Sequence, residues 1–113
     1  MQKYHVKITR QAQEQLLEIR DYIQNTLLAP QSAAATLAAL RSSIISLATM
    51  PGRIHLTDED PWRSKGVRRM IIRNFYIYFW IDIKNLKVQV IAVTYARRDQ
   101  VSFLKSLQDE EEK

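Results

Sequence analysis

The sequence predicts an α+β sandwich in which an N-terminal strand and an antiparallel helix hairpin pack on a small antiparallel sheet, followed by a short C-terminal helix. Three observations predict it. Two segments before residue 51 place apolar residues three and four apart; the apolar period changes to two in three successive runs from Val67 onward; and the two helical segments are separated only by Leu28-Ala29-Pro30. A short break makes the helices antiparallel neighbours, and a hairpin of helices has one apolar side to lay on a sheet.

Each element has its own warrant. Residues 4–8, YHVKI, alternate polar and apolar and contain β-formers, giving a short strand. Thr9 stands where an N-cap belongs, and Ala12, Leu16, Ile19, Ile23 and Leu27 form the stripe of a first helix. Pro30 suits the first turn of a second helix, striped by Leu37, Leu40, Ile44, Leu47 and Ala48 and stopped by Met50-Pro51-Gly52. Residues 51–66 hold two of the three prolines, both glycines and the acidic run Asp58-Glu59-Asp60, the composition of a loop. Then come VRRMIIR, FYIYFWID and KVQVIAVTY, with turns at Arg73-Asn74 and Lys84-Asn85-Leu86, most simply an antiparallel meander. Asp99 can cap a last helix containing Val101, Leu104 and Leu107.

With 113 residues, the chain predicts a single domain over 1–108, followed by an acidic, disordered tail at 109–113. No apolar run reaches the length of a membrane helix and the first residues lack a signal-peptide core, so a cytoplasmic protein without membrane contact is expected. There is no cysteine, and the two histidines are isolated, so no disulfide, metal or cofactor is expected. Setting aside the four acids and one base of residues 109–113 raises the formal charge from +5 to +8. That excess attracts an acidic partner, nucleic acid or protein.

The candidate binding residues follow from the strands. In FYIYFWID, Phe75, Ile77, Phe79 and Ile81 alternate with Tyr76, Tyr78 and Trp80; the first set is core and the second an amphipathic aromatic surface. Lys65, Arg68, Arg69 and Arg73 form the densest basic stretch, with Arg69 and Arg73 on one strand face and Arg68 on the other. Arg97 and Arg98 follow a buried strand, where they are either a binding rim or a solvated loop. His55 is a loop imidazole and Asp58-Glu59-Asp60 a solvated acidic run that does not converge on a metal.

The stretches "GVRRMIIRNFYIYFWID" (66–82) and "VIAVTYARRDQ" (90–100), with "IRDYI" (19–23) and "SLATMPGR" (46–53), resemble the RelE/ParE superfamily of bacterial toxin-antitoxin toxins, also called plasmid stabilisation proteins. The resemblance covers nearly the whole chain. It implies a growth-arresting toxin held inactive by a cognate antitoxin, acting either on DNA gyrase, as ParE-like members do, or as a metal-independent endoribonuclease that cleaves mRNA on the ribosome, as RelE-like members do. An inactive relic that still binds antitoxin is a further alternative.

Cleavage of RNA needs a base for the 2′-hydroxyl, positive charge for the phosphorane and an acid for the leaving oxygen. The candidates for a ribonuclease are Arg68, Arg73, Tyr95, Arg97, Arg98 and His55. The chain departs from the RelE-like pattern, with Tyr76 in place of a middle-strand arginine, Ala96 where a basic residue ends the last strand, and Phe103, which has no hydroxyl, in the terminal segment. ParE-like action on gyrase is therefore the favoured expectation, with Lys65, Arg69, Arg73, Tyr76, Tyr78, Arg97 and Arg98 as the target-binding residues.

Overall fold

A computed structural model describes residues 2–96 of the chain. Strand β1 (His5–Ile8) leads into helix α1 (Arg10–Asp21), which continues as one π-helical turn, Tyr22–Thr26. Helix α2 (Pro30–Ile45) ends in a 3-10 turn, Ser46–Ala48, and a second such turn spans Pro51–Arg53. Strands β2 (Arg68–Ile72), β3 (Phe75–Asp82) and β4 (Lys87–Tyr95) complete the described part. Among the described residues, no helix is long and apolar enough to cross a membrane.

The predicted caps hold. The Thr9 hydroxyl accepts a hydrogen bond from the Ala12 amide at 3.2 Å, satisfying one of the free donors of the first turn. Pro30 occupies the start of α2, where its missing N–H costs nothing. Between the helices Leu28 takes a left-handed φ of 53°, which reverses the chain within three residues. The buried residues of α1 and its π turn are Ala12, Leu16, Ile19 and Ile23, four of the five in the stripe; Leu27, just past the π turn where the chain leaves the helix, is 55% exposed. On α2 they are Ala33, Thr36, Leu40 and Ile44, with Leu47 just beyond, while Leu37 is only partly covered.

The sheet order is β1-β4-β3-β2. Strands β2, β3 and β4 form the expected antiparallel meander, but β1 joins β4 in parallel, so the sheet is mixed. The reason is topological: the helix hairpin and the meander lie between β1 and β4, and the chain enters both strands from the same end. One sheet face is covered by the helices through Val6, Ile8, Met70, Ile72, Phe75, Ile77, Phe79, Ile81, Val88, Val90, Val93 and Tyr95. The opposite face carries His5, Lys7, Arg69, Ile71, Tyr76, Tyr78, Trp80, Lys87 and Gln89 by strand alternation.

The register of β4 slips between Tyr78 and Phe79, which oppose Ala92 and Val90, so Ile91 is an extra residue in a bulge. Beyond it β1 has ended, and among the described residues no strand pairs with that edge of β4. The start of α1 takes over. The Thr9 amide donates to the Val90 carbonyl at 2.9 Å, the Thr9 hydroxyl donates to the Ile91 carbonyl at 3.4 Å, and the Gln15 carbonyl Oε1 accepts from the Val93 amide at 2.8 Å. Two polar side chains thus satisfy backbone groups that a longer β1 would have paired.

Candidate functional site

On the face turned away from the helices, β2 and β3 pair Arg69 with Tyr78 and Ile71 with Tyr76. Arg69 is the centre of this region. Its guanidinium lies 4.3 Å from the centroid of the Tyr76 ring, diagonal across the strands, a geometry worth about 1 kcal/mol. Its Nη1 donates to Glu59 Oε1 at 3.1 Å and its Nη2 stands 4.0 Å from Asp58. With only 17% of the Arg69 side chain exposed, the cation is clamped rather than free to sweep the surface.

The loop between Arg53 and β2 is organised to make this clamp. Its backbone runs along β2, the Arg69 amide donating to the His55 carbonyl at 3.2 Å and the Thr57 amide to the Val67 carbonyl at 2.9 Å. The buried Thr57 hydroxyl donates a short hydrogen bond to Glu59. Burial of the Glu59 carboxyl disfavours its charge, but the Thr57 hydroxyl, its own backbone amide and Arg69 together outweigh that and hold its pKa below the ordinary value. Asp60 accepts from the Ser64 amide at 3.0 Å and the Ser64 hydroxyl at 2.6 Å, closing the turn that follows, and its pKa is lowered by those bonds. The acidic run is therefore not simply solvated: Asp58 is exposed, Glu59 neutralises Arg69, and Asp60 caps a turn.

The other sequence-predicted residues separate. Arg68 points to the helix side of β2, and its Nη1 donates to the Ile54 carbonyl at 2.6 Å, a structural tie rather than a charge presented to phosphate. Tyr95 likewise lies on the covered face, its ring 4.6 Å from Phe75 and 6.2 Å, edge-on, from Tyr22. Arg73 is exposed in the β2–β3 turn with a left-handed φ of 54°. Lys65 sits on the Pro61–Gly66 turn with its ammonium 5.4 Å from the Trp62 ring, and the His55 side chain is exposed. Tyr76 is half-buried and edge-on to Tyr78 at 6.1 Å, but Tyr78 is 8% exposed, more covered than an uncovered sheet face would leave it. Arg97 and Arg98, the expected helix from Asp99 and the tail 109–113 lie outside the described residues.

At the other end of the same face is a groove that sequence reasoning missed, lined by Lys7, Trp80, Asp82, Lys87 and Gln89. Lys7, Gln89 and Trp80 are in register across β1, β4 and β3, and Lys87 and Asp82 form the adjoining row. Asp82 accepts from the Asn85 side chain at 2.8 Å and the Asn85 amide at 3.2 Å, bonds that lower its pKa with help from Lys87 and Lys84. The signal was available in the alternation of His5 and Lys7 with Val6 and Ile8, and of Lys87 and Gln89 with Val88 and Val90; the pairing that unites them was not.

Comparison with known proteins agrees with this architecture. The family model described as the ParE toxin of the type II toxin-antitoxin system, parDE, matches residues 6–100. A search of curated proteins finds no match by sequence. Among solved structures, the chain is similar to one from the chromosomal ParDE system of P. aeruginosa, with TM-score 0.70 and 17% identity over 84% of this chain and 98% of that one. It is also similar to a chain of the RelBE2 toxin-antitoxin complex of Mycobacterium tuberculosis, with TM-score 0.58 and 17% identity over 82% and 98%. The isolated E. coli RelE toxin gives TM-score 0.54 and 14% identity over 94% and 97%. At such identities the structural likeness speaks for the fold.

Proposed function

The chain belongs to the ParE toxin family of type II toxin-antitoxin systems, and from this premise we propose that it arrests growth by acting on DNA gyrase and is held inactive by a cognate antitoxin. The observation that supports the gyrase reading is the separation of the ribonuclease candidates that fall among the described residues. Arg68 and Tyr95 lie on the helix side of the sheet, Arg68 bonded to the Ile54 carbonyl and the Tyr95 ring against Phe75 and Tyr22, whereas the side chains of Arg73 and His55 are exposed. In-line cleavage requires base, acid and cation within hydrogen-bond reach of one substrate. A surface that grips a macromolecular target has no such requirement.

An antitoxin has a physical reason to bind. Leu17, Tyr22, Leu27, Leu28, Ile45 and Met50 are large apolar side chains left exposed along and around the helix hairpin, the kind of surface an amphipathic segment folds onto. Target contact is proposed for Lys65, Arg73 and Tyr76 with Arg97 and Arg98, while the clamped Arg69 and the covered Tyr78, expected in that set from the sequence, support Tyr76 from beside it.

The test is incubation of the purified toxin with DNA gyrase, supercoiled or relaxed plasmid and ATP. Trapped cleaved DNA and loss of supercoiling are expected. Cleavage of mRNA in the presence of ribosomes, with gyrase unaffected, overturns the reading in favour of the RelE-like activity.

A further inference from the structure

We infer that the groove around Trp80 binds single-stranded nucleic acid, with one base stacked on the indole and the flanking phosphates paired with Lys7 and Lys87. The inference goes beyond the gyrase reading and does not rest on it. Three features of the groove carry it. Trp80 is 37% exposed although it stands on β3, an interior strand whose other face is core, so part of its indole is open to solvent. Two lysines stand to one side of it, Lys87 diagonally across on β4 and Lys7 beyond Gln89 on β1, placed by the strand register rather than by flexible loops. Between Lys7 and Trp80 lies Gln89, whose amide offers both donors and an acceptor to the edge of a base.

The chemistry selects this ligand over others. Strands in a sheet are about 4.8 Å apart, so Lys7 stands roughly two strand spacings from Trp80, a distance suited to a base on the ring with its phosphate on the ammonium. Bases in a duplex are stacked and cannot lie on the indole, whereas splayed bases of a single strand lie flat on exposed aromatics. A protein partner would favour an apolar surround for a central tryptophan; here the surround is Lys7, Asp82, Lys87 and Gln89.

Asp82 makes the inference sharper. Its carboxylate is turned to Asn85 by two hydrogen bonds and remains charged at neutral pH, so it opposes a phosphate in the same groove. Asp82→Asn keeps one of the two acceptor oxygens, enough for the bond from the Asn85 amide, and removes that opposition. Affinity for the oligonucleotide should rise.

The experiment uses the full chain with Trp62→Phe, which leaves Trp80 as the sole tryptophan. Its fluorescence is titrated with oligothymidylate and oligouridylate at about 50 and about 200 mM salt, a range over which phosphate contacts show a steep dependence. Saturable quenching is expected with one or both. Measured by anisotropy of a labelled oligomer, Trp80→Ala should weaken binding about tenfold, and Trp80→Phe should retain most of it. Replacing Lys7 and Lys87 together by glutamine should reduce the salt slope by about 1.4. Circular dichroism confirms the fold of each variant, and Trp80→Phe with the lysine pair carries the test if the alanine variant does not fold.

Any of three results overturns the inference: no saturable quenching at about 100 µM oligomer, the weak end of non-specific binding; unchanged affinity in a folded Trp80→Ala protein; or equal binding of polyglutamate. The mixture contains neither gyrase nor ribosomes, so failure here leaves the family function standing, and a negative gyrase assay leaves this site standing.

Discussion

Replacing Gln15 by leucine tests the account of the β4 bulge most directly. The side chain keeps nearly the same shape, but the Val93 amide loses the acceptor that now sits 2.8 Å away. Val93 is 2% exposed, and β1 ends too early to offer another partner. An unsatisfied buried donor costs about 1–3 kcal/mol, and a middle value of about 2 is expected because Gln15 itself is only partly buried. For a chain of this size that corresponds to about 8 °C in Tm. Urea unfolding with an unchanged m-value measures the loss, and hydrogen exchange at the Val93 amide should accelerate at the same time. Gln15→Glu supplies the control, since a carboxylate accepts the same bond and should preserve most of the stability near neutral pH. A loss below about 0.5 kcal/mol in the leucine variant, far under the cost of an orphaned donor, would refute the reasoning, as would equal losses in the two variants.

The remaining expectations are as follows. Thr9→Val removes the cap of α1 and the hydroxyl bond to Ile91 together, and should cost about 1–2 kcal/mol in urea unfolding, more than a cap lost at an isolated helix end. A double-mutant cycle on Arg69→Met and Glu59→Gln should give a coupling of about 1 kcal/mol, because the pair is partly shielded and the arginine is also held by Tyr76. Since the folded-state pKa of Glu59 is depressed below the ordinary 4.5, its contribution is fully present above that value and is lost as pH falls through the folded-state pKa; the stability of Glu59→Gln should fall less steeply in that acid window. Charge reversal at both Arg97 and Arg98 should abolish growth arrest in cells while circular dichroism shows an intact fold, and a folded double variant that still arrests growth would remove these residues from the target-binding set.

How much was legible depended on the range of the physics involved. The Thr9 cap, the Pro30 helix start and the two strand turns are local, and each was visible in a few consecutive residues. The meander follows from turn lengths. The parallel pairing of β1 with β4 is not local, because alternation in YHVKI gives a strand its two faces and says nothing of its neighbour. Gln15 was invisible for the same reason: a glutamine inside a helix looks solvent-facing, and its partner is 78 residues away. At the candidate site, alternation placed Arg69 and Tyr76 on the open face, but it could not reveal that Glu59 would clamp the arginine from ten residues upstream. The bond of Arg68 to the Ile54 carbonyl was not legible either, since alternation puts the arginine on the core side of an edge strand without showing which acceptor lies within reach.

The stitching of α1 to β4 also sets an order of events during synthesis. β1, Thr9 and Gln15 find their sheet partners between residues 86 and 93, so none of those bonds can form while β4 is still unmade. Until then the apolar sides of both helices have no complete sheet to cover them. Such long-range closure slows folding relative to local contacts and keeps apolar surface open in the nascent chain. The N-terminal half of this toxin is thus made well before it can become a structured object, and any factor that engages the nascent helices meets them before the sheet does.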